Sequence, residues 1–145
     1  MGGVETRQDA KICAELFRSH RDTIHGVVVL LPNFGDEKAI AETLRLSGLN
    51  VPVLIQAEED NLDKMGLSTR RDSFCGKSSL CNNLRQYGIP FTLTTQHVCA
   101  LSGEVFEQDL RRFTQICRVV NIMRGVRFGA IGARPAGFSA VRYSE

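Results

Sequence analysis

The chain has 145 residues, of which 43% are hydrophobic and 23% charged, and its formal net charge is +2. A chain of this length is one domain's worth and buries about 70% of its unfolded surface. The balanced charge gives no sign of a nucleic-acid partner, and no apolar run approaches the roughly 20 residues of a membrane span. The first residues also lack the apolar core of a secretion signal. We therefore expect a single cytoplasmic domain over residues 1–145, with no nucleic-acid and no membrane partner.

The cysteines are five in number and include no CxxC pair: Cys13, Cys75, Cys81, Cys99 and Cys117. An odd count without that spacing argues against a disulfide framework and against a zinc knuckle. We predict reduced, buried thiols.

The first half of the chain alternates helical and strand patterns. A helix is predicted in VETRQDAKICAELFRSHR, because Thr6 and Asp9 have the spacing of a capping box. The apolar runs in HGVVVLLPNFG and VPVLIQA are typical of parallel strands that are covered on both faces. Between them, DEKAIAETLRLSG predicts a helix that begins after Asp36 and ends at Gly48.

The second half continues the alternation after a long polar connection, EEDNLDKMGLSTRRDSFCG. Connections of this length are usually functional or disordered. Beyond it we predict a helix in KSSLCNNLRQYG and a strand in PFTLTTQHV. The next helix has an apolar stripe from Phe106 to Val120, and this helix ends near Gly125. A fourth strand is predicted in VRFGAIG.

Strands separated by single helices predict parallel pairing through right-handed crossovers. The fold class that we expect is therefore α/β, an open, mostly parallel doubly wound sheet of the Rossmann or flavodoxin-like kind with helices on both faces. The chain begins with a helix that has no strand before it and stops at SAVRYSE, just past a helix cap at Ser139. This pattern predicts a fragment, truncated at both ends, of a longer multidomain protein.

The Gly-Lys-Ser triplet at residues 76–78 resembles the end of a phosphate-binding P-loop. A P-loop also needs a glycine five residues before the Gly-Lys pair and a buried strand that runs directly into the loop. Here Arg71 occupies the glycine position, and the preceding residues are polar. We therefore predict no nucleotide site and interpret Lys77 as a solvent-facing residue of the first helical turn.

The loop that leads into this helix carries Arg70, Arg71, Asp72, Ser73 and Cys75 at the carboxyl end of a predicted strand. Open α/β sheets bind ligands at that edge. An arginine with an aspartate can donate to and accept from sugar hydroxyls. In a turn predicted at Cys75 and Gly76, the glycine allows close approach of the backbone to a ligand. In the alternative interpretation, Arg71 and Asp72 pair with each other and cap the helix.

The blocks LPNFGDEKAIAETLRLSGLNVPVLIQA, RRDSFCGKSSLCNNLRQYGIPFTLTTQHV and FGAIGARPAGFSAVRYSE resemble the amino-terminal region of the L-fucose/L-arabinose isomerase family, particularly its isomerase-like bacterial members. The resemblance implies an aldose–ketose isomerase that moves a proton between adjacent sugar carbons. It also implies a strand-bearing segment before residue 4 and further domains after residue 145. In that family a divalent metal, usually manganese, is held by downstream residues, so no metal ligand, no catalytic residue and no cofactor is assigned to this chain.

The resemblance further implies that this domain is inactive alone and forms one wall of a sugar or polyol pocket, shared with missing domains and a neighbouring subunit of a homo-oligomer. The substrate-binding residues expected by position are Asn33, Phe34, Arg71, Asp72, Ser73, Cys75, Gly76 and His97. The alternative is a stand-alone sugar-binding or regulatory module that has no catalytic activity.

Several of these residues also have an ordinary structural interpretation. Asn33 tolerates the left-handed conformation and is typical of a turn, and an isolated histidine such as His97 is more often structural. The acidic run from Glu58 to Asp60 is typical of a solvated loop. The turn predicted at Arg134 and Pro135 suits an inter-domain contact.

Overall fold

The computed structural model describes residues 2–129, 131, 132, 136, 137 and 140. Four helices and three strands alternate along this part of the chain, in the order α1 (Arg7–Ser19), β1 (Val27–Leu31), α2 (Glu37–Ser47), β2 (Val53–Ala57), α3 (Ser73–Gln86), β3 (Thr92–Leu93) and α4 (Glu104–Arg124). A single 3-10 turn, Leu62–Lys64, lies in the connection between β2 and α3.

The three strands form one parallel sheet in the order β1-β2-β3. β1 and β2 pair along their whole length, from Val27 opposite Val53 to Leu31 opposite Ala57. β3 adds two residue pairs on the other side of β2. Helices pack on both faces of this open sheet, so the fold is an α/β doubly wound sheet, as the sequence predicts.

The helix ends follow the local signals in the sequence. Thr6 and Asp9 form the predicted capping box, in which the Thr6 N–H donates to Asp9 Oδ2 at 2.9 Å. Asp36 caps α2 by accepting from the N–H groups of Lys38 and Ala39. Gly48 ends α2 in the left-handed conformation with φ 61°, which glycine adopts without a steric penalty.

Two apolar clusters lie on opposite faces of the sheet, because successive strand side chains point to opposite sides. On one face Ile55 packs with Leu80 and Leu84 of α3. On the other face Leu54 packs with Phe113 of α4 and its neighbours. Every residue of β2 is buried, which accounts for its continuous apolar run.

The two strands predicted in the last part of the chain are wrong in their extent, whereas the helix predicted between them is confirmed as α4 and ends before Gly125. The third strand is only Thr92–Leu93, because the next residues bond to side chains: the Thr95 N–H donates to Asp109 Oδ2 at 2.7 Å. The described residues of the predicted fourth strand, 126–129 and 131–132, form no strand. The interpretations of Arg134, Pro135 and Ser139 fall outside the described residues.

All five cysteines are free thiols, as predicted, but they are not all buried. Cys99 and Cys117 are buried, Cys13 and Cys81 are half-buried, and Cys75 is exposed. Burial raises the pKa of the thiols of Cys13, Cys81, Cys99 and Cys117. In the part of the chain that the structure describes, no helix combines the length and apolar character needed to cross a membrane.

Candidate functional site

Two chain segments meet at the carboxyl end of the sheet, one after β1 (residues 32–36) and one after β2 (residues 58–72). The N–H of Phe34 donates to the carbonyl of Arg71 at 2.7 Å. The guanidinium of Arg71 returns a bond to the carbonyl of Pro32 at 3.2 Å. These bonds bring Asn33, Phe34 and Arg71, which were predicted as site residues, into one neighbourhood.

Helix α3 begins at Ser73, four residues earlier than predicted. The N–H of Gly76 therefore donates to the carbonyl of Asp72 at 3.1 Å as part of the helix. The predicted turn at Cys75 and Gly76 is wrong, and the Gly-Lys-Ser triplet lies inside a helix instead of forming a phosphate-binding loop. Gly76 still permits a close approach, because a Cβ atom there would lie 3.2 Å from Cα of Phe34.

Arg71 and Asp72 do not pair with each other, so that alternative interpretation is wrong. The N–H groups of both residues donate to Asp60 Oδ1, at 2.8 and 3.1 Å. Asp72 forms an ion pair with Arg70 at 2.9 Å. Asp72 occupies the position before α3 in the left-handed conformation, with φ 56°, and its side chain does not cap the helix.

The acidic run after β2 takes part in the structure, which corrects its interpretation as a solvated loop. Asp60 is half-buried and accepts the two bonds from the start of α3. Glu58 is also half-buried, and its carbonyl accepts from the hydroxyl of the fully buried Ser73. Ser73 therefore lies beneath the surface, between β2 and α3.

Lys77 is buried, with 4% of its surface exposed, so its prediction as a solvent-facing residue is wrong. Its ammonium group donates to Thr94 Oγ1 and to the carbonyl of His97, each at 2.8 Å. Burial lowers the pKa of Lys77, since removal from water disfavours the charged form. The sequence does contain a pattern that indicates this burial, because residue 77 lies on the same helical face as the buried Leu80 and Leu84.

His97 follows β3 and is exposed. Its ring lies beside that of Phe74, with the centroids 5.6 Å apart and the planes at 57°. Phe74 lies between Ser73 and Cys75 in the first turn of α3, so His97 is beside the same helix start as those predicted residues. Asn33 does not have the left-handed conformation that was considered for it.

The exposed groups at this edge include an amide, a guanidinium, an imidazole and an aromatic ring, carried by Asn33, Arg71, His97 and Phe34. Together they supply hydrogen-bond donors and acceptors beside an apolar surface, which suits a polyhydroxylated ligand. An apolar groove of about 260 Å³ runs from Asn33 along the unpaired side of β1 towards Phe17 of α1.

The residues at this edge do not fit a manganese ion. Manganese takes oxygen-rich ligand sets, but the carboxylates of Asp60 and Asp72 already bond to backbone N–H groups and to Arg70. Within the described ranges, no three histidine, cysteine, aspartate or glutamate side chains come together in a group that could hold a metal.

The structure places this chain in the class of open α/β domains, in which ligands bind where the carboxyl ends of the strands meet. Residues 1–124 match the family described as fucose/sulfoquinovose isomerase, N-terminal domain. Since the match covers most of the chain, the chain belongs to that family. This confirms the resemblance to fucose isomerases, whereas the arabinose part of the resemblance stays a prediction. Neither the curated proteins nor the solved structures that were compared gave a significant match.

Proposed function

We propose that this domain forms one wall of the sugar-binding cleft of an aldose–ketose isomerase and carries no catalytic residue. The segments after β1 and β2 converge on the start of α3, where the N–H of Phe34 donates to the carbonyl of Arg71. This convergence is the observation that carries the proposal. In a family of sugar isomerases, the carboxyl edge of an open sheet is the expected ligand-facing surface.

The exposed side chains act directly in this proposal. Asn33, Arg71 and His97 hydrogen-bond sugar hydroxyls, Phe34 packs against the apolar face of the ring, and Cys75 lies at the rim. A guanidinium and an amide together offer donors and an acceptor, which discriminates a hydroxyl-rich ligand from an apolar one.

The remaining predicted residues support the wall from within. The Asp72 carbonyl accepts from the Gly76 N–H in the first turn of α3, the buried Ser73 ties that turn to Glu58, and Gly76 lets it approach Phe34. We propose that the divalent metal, manganese, and the acid and base groups come from parts of the enzyme outside this domain, since the carboxylates of this edge are already occupied.

We further propose that the cleft is completed by another domain or by a neighbouring subunit of a homo-oligomer. Leu62 and Leu67 support this, because they project from the segment after β2 with 86% and 88% of their surface exposed. Large apolar side chains at a rim of polar groups are typical of interaction surfaces.

The free thiols suit the reducing cytoplasm, where we place the enzyme.

The test uses the intact enzyme that carries this domain, assayed with L-fucose and with sulfoquinovose in the presence of Mn²⁺. Arg71→Ala removes one donor to the bound sugar, so we expect kcat/KM to fall about tenfold to a hundredfold, as for the loss of one contact in a desolvated site. Arg85→Ala, on an exposed part of α3, is the matched control and should leave kcat/KM unchanged.

The chain of 145 residues should itself form no ketose from either sugar, with or without Mn²⁺. Turnover by the chain above a protein-free control would contradict the assignment of catalysis to other domains. A different outcome would favour the alternative of an independent sugar-binding module. In that case the chain alone binds sugar saturably, and kcat/KM of the Arg71→Ala enzyme is unchanged.

A further inference from the structure

Lys77 occupies an environment that is unfavourable for a charge. Its side chain is almost completely buried, and none of the ion pairs among the described residues includes it. Its bonds go to two neutral acceptors, the hydroxyl of Thr94 and the carbonyl of His97. Removing an ammonium group from water is unfavourable, and an apolar side chain of similar length is often at least as stabilising in such a place. Packing alone therefore does not account for a lysine here.

The two acceptors lie at the two ends of one short segment, residues 94–97. The Thr94 hydroxyl, which accepts from Lys77, itself donates to the carbonyl of Gln96 at 2.8 Å. One ammonium group thus fixes this segment at three points. It donates directly to the Thr94 hydroxyl and to the His97 carbonyl, and the Thr94 hydroxyl in turn donates to the Gln96 carbonyl. The opposite side is fixed by Asp109 of α4, which accepts from Thr95.

His97 is the residue whose orientation depends on these bonds. Its carbonyl is held by Lys77, and its ring lies beside Phe74. Phe74 and Lys77 are three residues apart on α3 and therefore neighbours on its surface. The same helical turn holds the backbone of His97 and contacts its ring.

We propose that Lys77 is a positioning residue, whose buried ammonium group holds residues 94–97 so that the imidazole of His97 stays beside Phe74. The claim that this imidazole faces the sugar depends on the function proposed above. The claim that Lys77 positions it does not. Lys77 has no contact with the sugar in this proposal. It acts through the backbone of His97.

The test compares Lys77→Met with Lys64→Met in the 145-residue chain labelled with ¹³C-histidine. Lys64 is exposed, so the second variant makes the same chemical change where no segment is held. The chain has three histidines, and His97→Gln assigns the resonance of His97. Phe74→Leu shows the direction in which that resonance moves when the neighbouring ring is lost.

We expect Lys77→Met to fold with unchanged or increased stability and to move the His97 resonance in the direction given by Phe74→Leu. The amides of residues 95–99 should exchange about tenfold faster, the effect of losing one or two hydrogen bonds. Lys64→Met should change neither. An unmoved His97 resonance in folded Lys77→Met would overturn the proposal.

A second pair of variants keeps Lys77 in place. Thr94→Val has nearly the same shape but no hydroxyl, so it should loosen His97, whereas Thr94→Ser keeps the hydroxyl and should retain the native resonance. Equal spectra for the two variants would also overturn the proposal. None of these measurements uses a sugar, so an enzyme insensitive to Arg71→Ala would refute the proposed function and leave the positioning role standing.

Discussion

The segments that follow β2 and β3 leave the same edge of the sheet but are held in different ways. Residues 58–72 are fixed near their ends, by Glu58 at one end and by Asp60 bonding to Arg71 and Asp72 at the other. Residues 61–70 between them are all exposed. Residues 94–99 are instead held throughout, by Lys77, by Asp109 and by β2, whose Gln56 donates to the carbonyl of Cys99 at 2.6 Å.

This difference teaches that one sheet edge can combine a fixed surface with an adaptable one. Local opening costs least where few buried contacts and few hydrogen bonds must be broken. The middle of the segment after β2 should therefore open more easily than the segment after β3, which holds His97 in one place. Four predictions test this contrast.

The largest effect is expected at Asp60, because its carboxylate accepts two backbone N–H groups at the start of α3. Asp60→Ala leaves both donors without this partner and should lower the free energy of unfolding by about 1 to 2 kcal/mol, measured by urea denaturation. Asp63→Ala makes the same change in the exposed middle of the segment and should cost less than about 0.5 kcal/mol. Equal losses in the two variants would mean that the segment is not fixed near its end.

The next effect is expected at Asp109, which accepts from the N–H and the hydroxyl of Thr95 at 2.7 and 2.6 Å. Both bonds are exposed, so water replaces part of what is lost, and Asp109→Ala should cost about 1 kcal/mol. Asp22→Ala, at an exposed position, is the control. If Asp109→Ala left the hydrogen exchange of residues 94–97 unchanged, α4 would have no part in holding them.

A third difference depends on pH, because burial lowers the pKa of Lys77 below the ordinary value of 10.5. Between the lowered pKa and 10.5 the unfolded chain binds the proton that the folded chain has released, so this group makes folding more favourable as the pH rises. The folded protein should therefore gain stability relative to Lys77→Met across that window. At lower pH the difference should be constant, since Lys77 is then charged in both states.

The raised pKa values of the buried thiols act in the opposite direction above about pH 9, where unfolded cysteines ionise first. Both proteins contain these thiols, but Lys77 itself acts to lower the pKa of Cys81 and of Cys99. The comparison with Lys77→Met is therefore read below about pH 9, before the unfolded thiols ionise. Urea denaturation at several pH values measures the difference, and a constant difference from pH 7 up to this limit would contradict the burial of Lys77.

The smallest effect is expected at Asp72, which has φ 56° and does not cap α3. Asp72→Gly relieves the strain of a left-handed residue but loses a half-exposed ion pair with Arg70. The net result should be a stabilisation of about 0.5 kcal/mol, because surface ion pairs contribute little. Asp72→Ala keeps the strain and loses the pair, so it should be less stable than Asp72→Gly. The reverse order, measured by thermal unfolding, would contradict the left-handed start of α3.

The elements that the sequence predicts well are those with local signals. Asp36 and Gly48 mark the ends of α2 through caps that act within a few residues. The apolar run of β2 follows from burial on both faces, whereas β1 is only partly covered and leaves Leu30 47% exposed. The start of α3 was placed four residues late because Asp72 caps nothing and gives no local signal.

The organisation of the site was less predictable because its bonds join distant residues. Asp60 meets Arg71 across eleven positions, and Lys77 reaches His97 across twenty. No spacing rule covers such pairs. The burial of Lys77 goes against the usual exposure of lysine, and its helical spacing from the buried leucines of α3 is the pattern that indicates it.

The exposure of Cys75 offers a practical means of observing this surface at work. The other four thiols are shielded and reluctant to ionise, and thiolates are the form that reacts with maleimides. A fluorescent maleimide should therefore label Cys75 first, one residue from Phe74 and from Gly76. An environment-sensitive dye attached there would show, by a change in colour or brightness, whether another domain or subunit covers the start of α3 as we propose.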